Sequence, residues 1–99
     1  MDNKHLKTAD SLFEAILLLK DKKDCYKLFE DLCTIKEIQD MAQRFEVAKM
    51  LDENQVYSAI TAKTGASTAT VSRVNKCLMY GSGGYRMALD RIKGKVKWL

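Results

Sequence analysis

The stretch that decides the fold is Val56–Leu78, VYSAITAKTGASTATVSRVNKCL. It reads as two short helices joined by a tight turn. Gly65 can adopt a positive φ at no steric cost, and Ser67 is a favourable N-cap for the second helix. Three apolar residues have the spacing that packs beneath such a turn: Ile60, Val71 and Val74. The stretch therefore predicts a helix-turn-helix over about residues 56–78.

The second of these helices has an outward face of small and polar residues: Thr68, Ala69, Thr70, Ser72, Arg73 and Lys76. Hydroxyl groups can bond base edges or phosphates, methyl groups can contact thymine, and arginine can bond guanine. The free N–H groups at the start of the helix also favour a phosphate. We predict that this face contacts double-stranded DNA. RNA is disfavoured, because the sequence shows no aromatic platform of the kind that single-strand readers use.

Charge is distributed unevenly along the 99 residues, whose formal net charge is +4. Residues 1–53 have a net charge of −3 and residues 54–99 a net charge of +7, and Asp90 is the only acid of the second part. A basic half that contains the helix-turn-helix favours a polyanion as partner. A solubilising surface would have the same charge, so the residue pattern of the second helix is what favours DNA.

Helix formers dominate the sequence before the helix-turn-helix, and the chain has no proline, so we predict an all-α fold. Apolar spacing indicates a first helix over residues 7–20, followed by a short helix capped by Asp24. Thr34-Ile-Lys-Glu37 matches the capping-box pattern at the start of a third helix, which is predicted to end at about Asp52. Its apolar stripe is Ile38, Met41, Ala42, Phe45, Ala48 and Leu51.

The boundaries nearer the carboxyl end follow from turn residues. Asn54 is predicted to open the fourth helix, with Val56, Ala59 and Ile60 facing inward. The segment Gly81-Ser-Gly-Gly84 marks a break before a last helix over residues 85–93. A backbone phosphate cradle at this break is less favoured than a flexible linker, because no strand precedes it. We predict one helical DNA-binding domain over residues 1–93 and a partly disordered tail over residues 94–99.

The leading helices are richer in leucine and phenylalanine than a small core requires. Surplus apolar surface of this kind favours a partner chain, so we predict a homodimer. A compact monomer with those faces turned inward is the alternative.

Several classes of protein are disfavoured by what the sequence lacks. Cys25, Cys33 and Cys77 have no CxxC spacing, and His5 is the only histidine, so we predict neither a metal site nor a disulfide framework. No pair of nucleophile and base stands out, so we predict that the chain is not an enzyme. Apolar runs are too short to cross a bilayer, so we predict no membrane partner and a cytoplasmic location.

From Leu32 to Leu78 the sequence resembles the tryptophan-repressor family, and within it the YerC/YecD branch. The resemblance rests on Thr34-Ile-Lys-Glu37, on Gln43-Arg44-Phe45-Glu46-Val47-Ala48 and above all on Thr64-Gly-Ala-Ser-Thr-Ala-Thr-Val-Ser-Arg73. The segment Tyr80–Tyr85 is also similar to that branch. The resemblance implies six helices in an intertwined homodimer, which represses transcription from a palindromic operator.

The resemblance also implies where a corepressor would bind. Arg44 and Arg73 match two arginines that sandwich the indole of tryptophan in the family's namesake, and Thr34 matches a pocket threonine. Val74, however, stands at a glycine position under the indole, and Cys77 at a serine position. Valine adds bulk to the pocket floor and cysteine is a poorer hydrogen-bond partner than serine. The sequence therefore argues against tryptophan as corepressor, and we predict no cofactor. A corepressor, either tryptophan or another small molecule, is the disfavoured alternative.

Simpler roles remain open for the two arginines. Arg44 lies four residues after Asp40, so an ion pair on the helix surface is as well supported as a ligand contact. Arg73 is either a solvated surface residue or, as its face suggests, a DNA contact. The alternative function for the whole chain is a helical protein–protein interaction module that does not bind DNA.

Overall fold

Six α-helices follow a short 3-10 helix in the computed structural model, which describes residues 4–98 and the side chains of residues 4–94. The 3-10 helix is Lys4–Ala9, and the α-helices are α1 Asp10–Leu17, α2 Lys22–Leu32, α3 Ile35–Asp52, α4 Tyr57–Thr64, α5 Thr68–Tyr80 and α6 Gly84–Trp98. Residues 4–98 contain no strand. The predicted all-α fold class is confirmed. The described chain forms two compact units that divide between Ile38 and Gln39, and the single domain predicted over residues 1–93 stays a prediction.

The first unit begins with the elements that the sequence predicted as one helix over residues 7–20. The chain instead forms the 3-10 helix and then α1, which ends at Leu17. The predicted cap of the next helix was also wrong, because Asp21 rather than Asp24 occupies the N-cap of α2. The Asp24 backbone N–H donates to Asp21 Oδ1 at 2.9 Å, and the Lys20 N–H donates to Asp24 Oδ2 at 3.0 Å. Each carboxylate thus satisfies one backbone donor at the start of α2, and Asp24, at position N3, accepts from the residue before the N-cap.

The start of α3 is confirmed as predicted. The Glu37 N–H donates to Thr34 Oγ1 at 3.1 Å, and the Thr34 N–H donates to Glu37 Oε1 at 2.8 Å. These are the two reciprocal bonds of a capping box. Because this motif is local, four residues of sequence were enough to place the helix start.

No residue of the 3-10 helix, α1 or α2 is buried. Large apolar side chains of the first unit are instead exposed, among them Leu17, Leu18, Tyr26 and Ile35 at 83, 78, 69 and 75%. Burial of apolar surface stabilises a fold by about 25 cal/mol per Å². Side chains that stay in water do not provide this stabilisation. The first unit by itself therefore has little to hold its helices in place.

The second unit contains the buried core, which consists of Val47, Ala48, Met50, Ile60, Ala66, Val71, Val74 and Leu89. The predicted stripe of α3 is only partly correct. Ala48 is buried and Phe45 and Leu51 pack against the core, but Val47 and Met50 are buried where the sequence did not place them. Met41 and Ala42 are exposed. The inward face of α3 in this unit is therefore rotated toward Val47 and Met50.

The link between α3 and α4 differs from the sequence prediction. Asn54 does not open a helix, since it lies in the connecting turn with a φ of 62°, a left-handed conformation that asparagine tolerates better than most residues. Val56 is the N-cap of α4. Of the three residues predicted to face inward on α4, Ile60 is buried, whereas Val56 and Ala59 are exposed.

The last helix docks on the end of α3 through ionic groups. Arg86 and Lys93 of α6 both donate to the carboxylate of Asp52, the final residue of α3. Arg86 also pairs with Asp90, with 3.3 Å between Nη1 and Oδ1. The hydrogen bond from Lys93 lowers the pKa of Asp52, with a further contribution from the charge of Arg86, and burial opposes the shift in part.

Asp52→Asn is expected to lower the free energy of unfolding by about 1 kcal/mol near neutral pH, because two cations lose their shared anion. The folded-state pKa of Asp52 lies below the unfolded value, so its stabilisation is complete above the unfolded pKa. It is lost as the pH falls through the folded pKa. Urea unfolding of both proteins from about pH 7 downward checks this, and the difference should shrink below the ordinary aspartate pKa of 3.8 and disappear once the pH is below the lowered pKa of Asp52. A difference that persists in strong acid would contradict it.

The final helix continues to Trp98, past the predicted end at Lys93. The predicted disorder of residues 94–99 stays a prediction, because the side chains of residues 95–99 and all of Leu99 lie outside the described part of the chain. Within the described residues, no helix has the length and apolarity needed to span a bilayer. Nor do three or more metal-ligating side chains come together there.

Candidate nucleic-acid interface

The helix-turn-helix predicted over residues 56–78 corresponds to α4 and α5, and its turn has the predicted geometry. Gly65 follows the last residue of α4 with a φ of 76°, and its N–H donates to the Thr61 carbonyl at 3.0 Å. This is a left-handed helix end, which strongly favours glycine. The hydroxyl of Thr64 donates to the Ile60 carbonyl at 2.7 Å and accepts from the Ala66 N–H at 3.1 Å. Directional hydrogen bonds therefore stabilise the conformation of the turn.

The start of α5 is capped as the sequence predicted. Ser67 Oγ accepts from the Thr70 N–H at 3.1 Å, and the Ser67 hydroxyl lies 3.1 Å from Thr70 Oγ1, to which it donates. Val71 and Val74 on the inner side of α5 and Ile60 on α4 are all buried. Two helices thus share one small apolar contact beneath the turn, which determines the face that α5 turns to solvent.

The outward face of α5 contains the residues predicted to contact DNA. Thr68, Ala69, Ser72, Arg73 and Lys76 are exposed, whereas Thr70 is half-buried. Because Thr70 Oγ1 accepts from Ser67, the proton of its own hydroxyl remains available to an outside acceptor. The structure thus places the six side chains on one helix, and all of them except that of Ala69 can donate a hydrogen bond.

Every charged side chain within α4 and α5 is a cation. Lys63 at the end of α4 and Arg73 and Lys76 on α5 are exposed cations. Residues 54–89 contain no aspartate or glutamate. No neighbouring carboxylate within α4 or α5 can therefore neutralise these groups, so the face attracts anions.

The residues predicted for a corepressor lie in different settings, and the predicted corepressor site stays a prediction. Val74 is 2% exposed and belongs to the core, so its side chain fills the space beneath α5. Arg44, Arg73 and Cys77 are exposed on α3 and α5. Thr34 belongs to the first unit, where its hydroxyl caps α3.

An open cleft that the sequence did not predict lies at the connection between α5 and α6. Its volume is about 410 Å³, and it is lined by Phe45, Cys77, Gly81, Ser82, Gly84 and Tyr85. The rings of Phe45 and Tyr85 lie 6.4 Å apart between centroids, tilted by 35°. Gly81 is needed here, since a Cβ atom on it would lie 2.4 Å from the Cys77 carbonyl oxygen. The glycines at residues 81–84 were the only sequence signal of this feature.

Comparison with known proteins gives consistent matches over most of the chain. The family model described as Trp repressor protein matches residues 7–93. The protein YerC of Bacillus subtilis (strain 168) is 60% identical over 87 residues, which cover 88% of this chain and 84% of YerC.

Solved structures match as well. A TrpR-like protein from Eubacterium eligens ATCC 27750 superposes with a TM-score of 0.88 at 54% identity, covering 92% of this chain and 96% of the other. A protein from Staphylococcus aureus gives a TM-score of 0.87 at 45% identity, covering 94% and 95% of the two chains. The described fold is thus shared with these proteins.

Proposed function

This chain belongs to the Trp repressor family, and we propose that it is a transcriptional repressor that reads double-stranded DNA with the exposed face of α5. The family is one of DNA-binding regulators, not of enzymes. The observation that carries the proposal is the pairing of a capped, exposed α5 face with a segment free of acidic residues. Hydroxyl, methyl and guanidinium groups on that face suit base edges in a major groove.

A homodimer completes the proposal. The first unit buries none of the residues of its 3-10 helix, α1 or α2, and it exposes large apolar side chains that include Leu17 and Ile35. A second copy of the chain would cover such faces and stabilise them. Two α5 helices related by two-fold symmetry would then read a palindromic operator with half-sites about one helical turn apart. The predicted cytoplasmic location stays a prediction.

We further propose that the repressor binds DNA without tryptophan. Val74 is part of the buried core, and removing it from that core to admit a ligand would leave a cavity at a cost in stability. Cys77 offers a weaker hydrogen bond than a serine would. Both residues support a repressor whose affinity for its operator does not depend on tryptophan.

Selection from a pool of random duplex DNA tests this function, with parallel arms containing and lacking tryptophan. A recovered palindrome with half-sites about one turn apart, enriched equally in both arms, is the expected result. Enrichment only with tryptophan would contradict effector independence. Absence of binding even at low salt would refute the DNA reader and favour the alternative, a protein–protein interaction module.

Arg73→Ala is expected to weaken operator binding by about 1–3 kcal/mol without unfolding the protein, because Arg73 is exposed on α5. Titration of a labelled operator duplex measures the loss. The matched control is Arg91→Ala, which removes the same charge from α6 and should change affinity much less. Equal losses from the two variants would indicate that general charge, and not a contact from α5, accounts for binding.

A further inference from the structure

Among the described residues, one side-chain hydrogen bond joins the turn of the helix-turn-helix to α3. Gln43 of α3 donates from Nε2 to the backbone carbonyl of Thr64 at 3.1 Å, across 21 residues of sequence. Thr64 is the last residue of α4, and the left-handed Gly65 turns the chain away directly after it. The Gln43 side chain also lies beside Gly65, because a Cβ atom built there would be 3.9 Å from Nε2. This contact is half-buried, so water competes for it only in part.

The other described hydrogen bonds of the turn are local. They join Gly65 to Thr61, Ala66 to Thr64, and Thr64 to Ile60. Local bonds shape the turn, but they do not hold it at a fixed place relative to α3. The apolar contact among the buried residues beneath the turn is non-directional. The bond from Gln43 is directional, so it can fix the turn in one orientation.

We propose that Gln43 is a positioning residue for DNA reading, an inference that rests on the proposed function. It does not touch DNA. By holding the carbonyl end of α4 against α3, it keeps α5 in the orientation that places Thr68, Ser72 and Arg73 on the duplex. Without this bond the turn samples other orientations, and apparent affinity falls with the fraction of molecules in the reading orientation.

Gln43→Met tests the proposal, because methionine has a similar length and no donor. The matched control is Gln39→Met, which makes the same exchange at an exposed position one turn earlier on α3. Three measurements are made on the full-length protein: the carbonyl carbon shift of Thr64 by NMR, the thermal midpoint, and the affinity for the selected duplex. Affinity is measured well below both midpoints, so that unfolded protein does not contribute.

For Gln43→Met we expect the Thr64 carbonyl resonance to move upfield and the thermal midpoint to fall, because one hydrogen bond is lost. Operator affinity should fall about fivefold, the equivalent of one ordinary hydrogen bond. Gln39→Met should leave all three measurements at wild-type values. The carbonyl shift reports the bond itself and would not respond to a general loss of stability.

Three outcomes would overturn the inference. An unchanged Thr64 resonance means that the bond is absent in solution. A shifted resonance with wild-type affinity means that the bond exists but does not position α5. Equal affinity losses from Gln43→Met and Gln39→Met mean that the effect is not specific to the turn. If the wild-type protein binds no duplex, the proposed function fails together with the positioning role. The Thr64 resonance then still decides whether the hydrogen bond from Gln43 exists.

Discussion

The affinity of the wild-type protein for duplex DNA is expected to fall by about a thousandfold when salt rises from about 50 to about 200 mM. Lys63, Arg73 and Lys76 are exposed on α4 and α5 of each chain. In a homodimer they would bring about six cations to the duplex, and each cation, whether it contacts a phosphate or a base edge, would release condensed counterions from DNA. No acid in residues 54–89 offsets these cations. Salt therefore affects binding more strongly than the removal of any single contact residue.

Fluorescence anisotropy of a labelled duplex across a salt series measures this effect. The logarithm of the association constant should fall against the logarithm of salt with a slope of about −5. Lys63→Ala should make the slope shallower by about 1 for each contact that is lost. Lys22→Ala, which removes a cation at the start of α2, serves as the control and should leave the slope unchanged. A slope near zero, with tight binding, would contradict the phosphate-contact interpretation of the α4–α5 face.

The parts of the fold that were predicted correctly depend on local chemistry. The capping box of Thr34 and Glu37, the cap at Ser67 and the left-handed Gly65 each involve residues within one turn of each other. Hydrogen bonds of this range are fixed by residue type and spacing, so a short segment suffices to predict them. The polar face of α5 was predicted from apolar spacing, because Val71 and Val74 turn inward and so determine which side of the helix faces outward.

The errors arose where several local solutions compete. Asp21 and Asp24 are both good caps, and the choice between them depends on where the preceding helix ends. On α4, Val56 and Ile60 are separated by one helical turn and look equivalent in sequence. Val56 is nevertheless 66% exposed and Ile60 fully buried, because Val56 is the N-cap and lies outside the packed part of the helix.

The tertiary parts of the site could not be predicted from sequence patterns. The bond from Gln43 to Thr64 joins residues on different helices, and Gln43 looks like any surface glutamine in the sequence. Asp52 likewise gives no sign that it will bind two cations from α6. Such pairings depend on how α3 packs against later helices, so they become visible only in the folded chain.

Ile60→Ala is expected to cost about 2–5 kcal/mol of the free energy of unfolding. The Ile60 side chain is fully buried and is among the largest that are. Its removal would leave a cavity between α4 and α5, beneath the turn that orients the DNA-contacting face. Total stability of a domain of this size is about 5–15 kcal/mol, so the loss is a large fraction of it. Urea unfolding monitored by circular dichroism measures the change.

Val56→Ala is the matched comparison, since it shortens a branched aliphatic side chain one turn earlier on the same helix. Because Val56 is mostly exposed, the change should stay within about 0.5 kcal/mol. The contrast separates the two residues that sequence periodicity treats alike. Equal losses would mean that Val56 is buried in solution, against another copy of the chain. A small loss for Ile60→Ala would contradict the placement of α4 on the core.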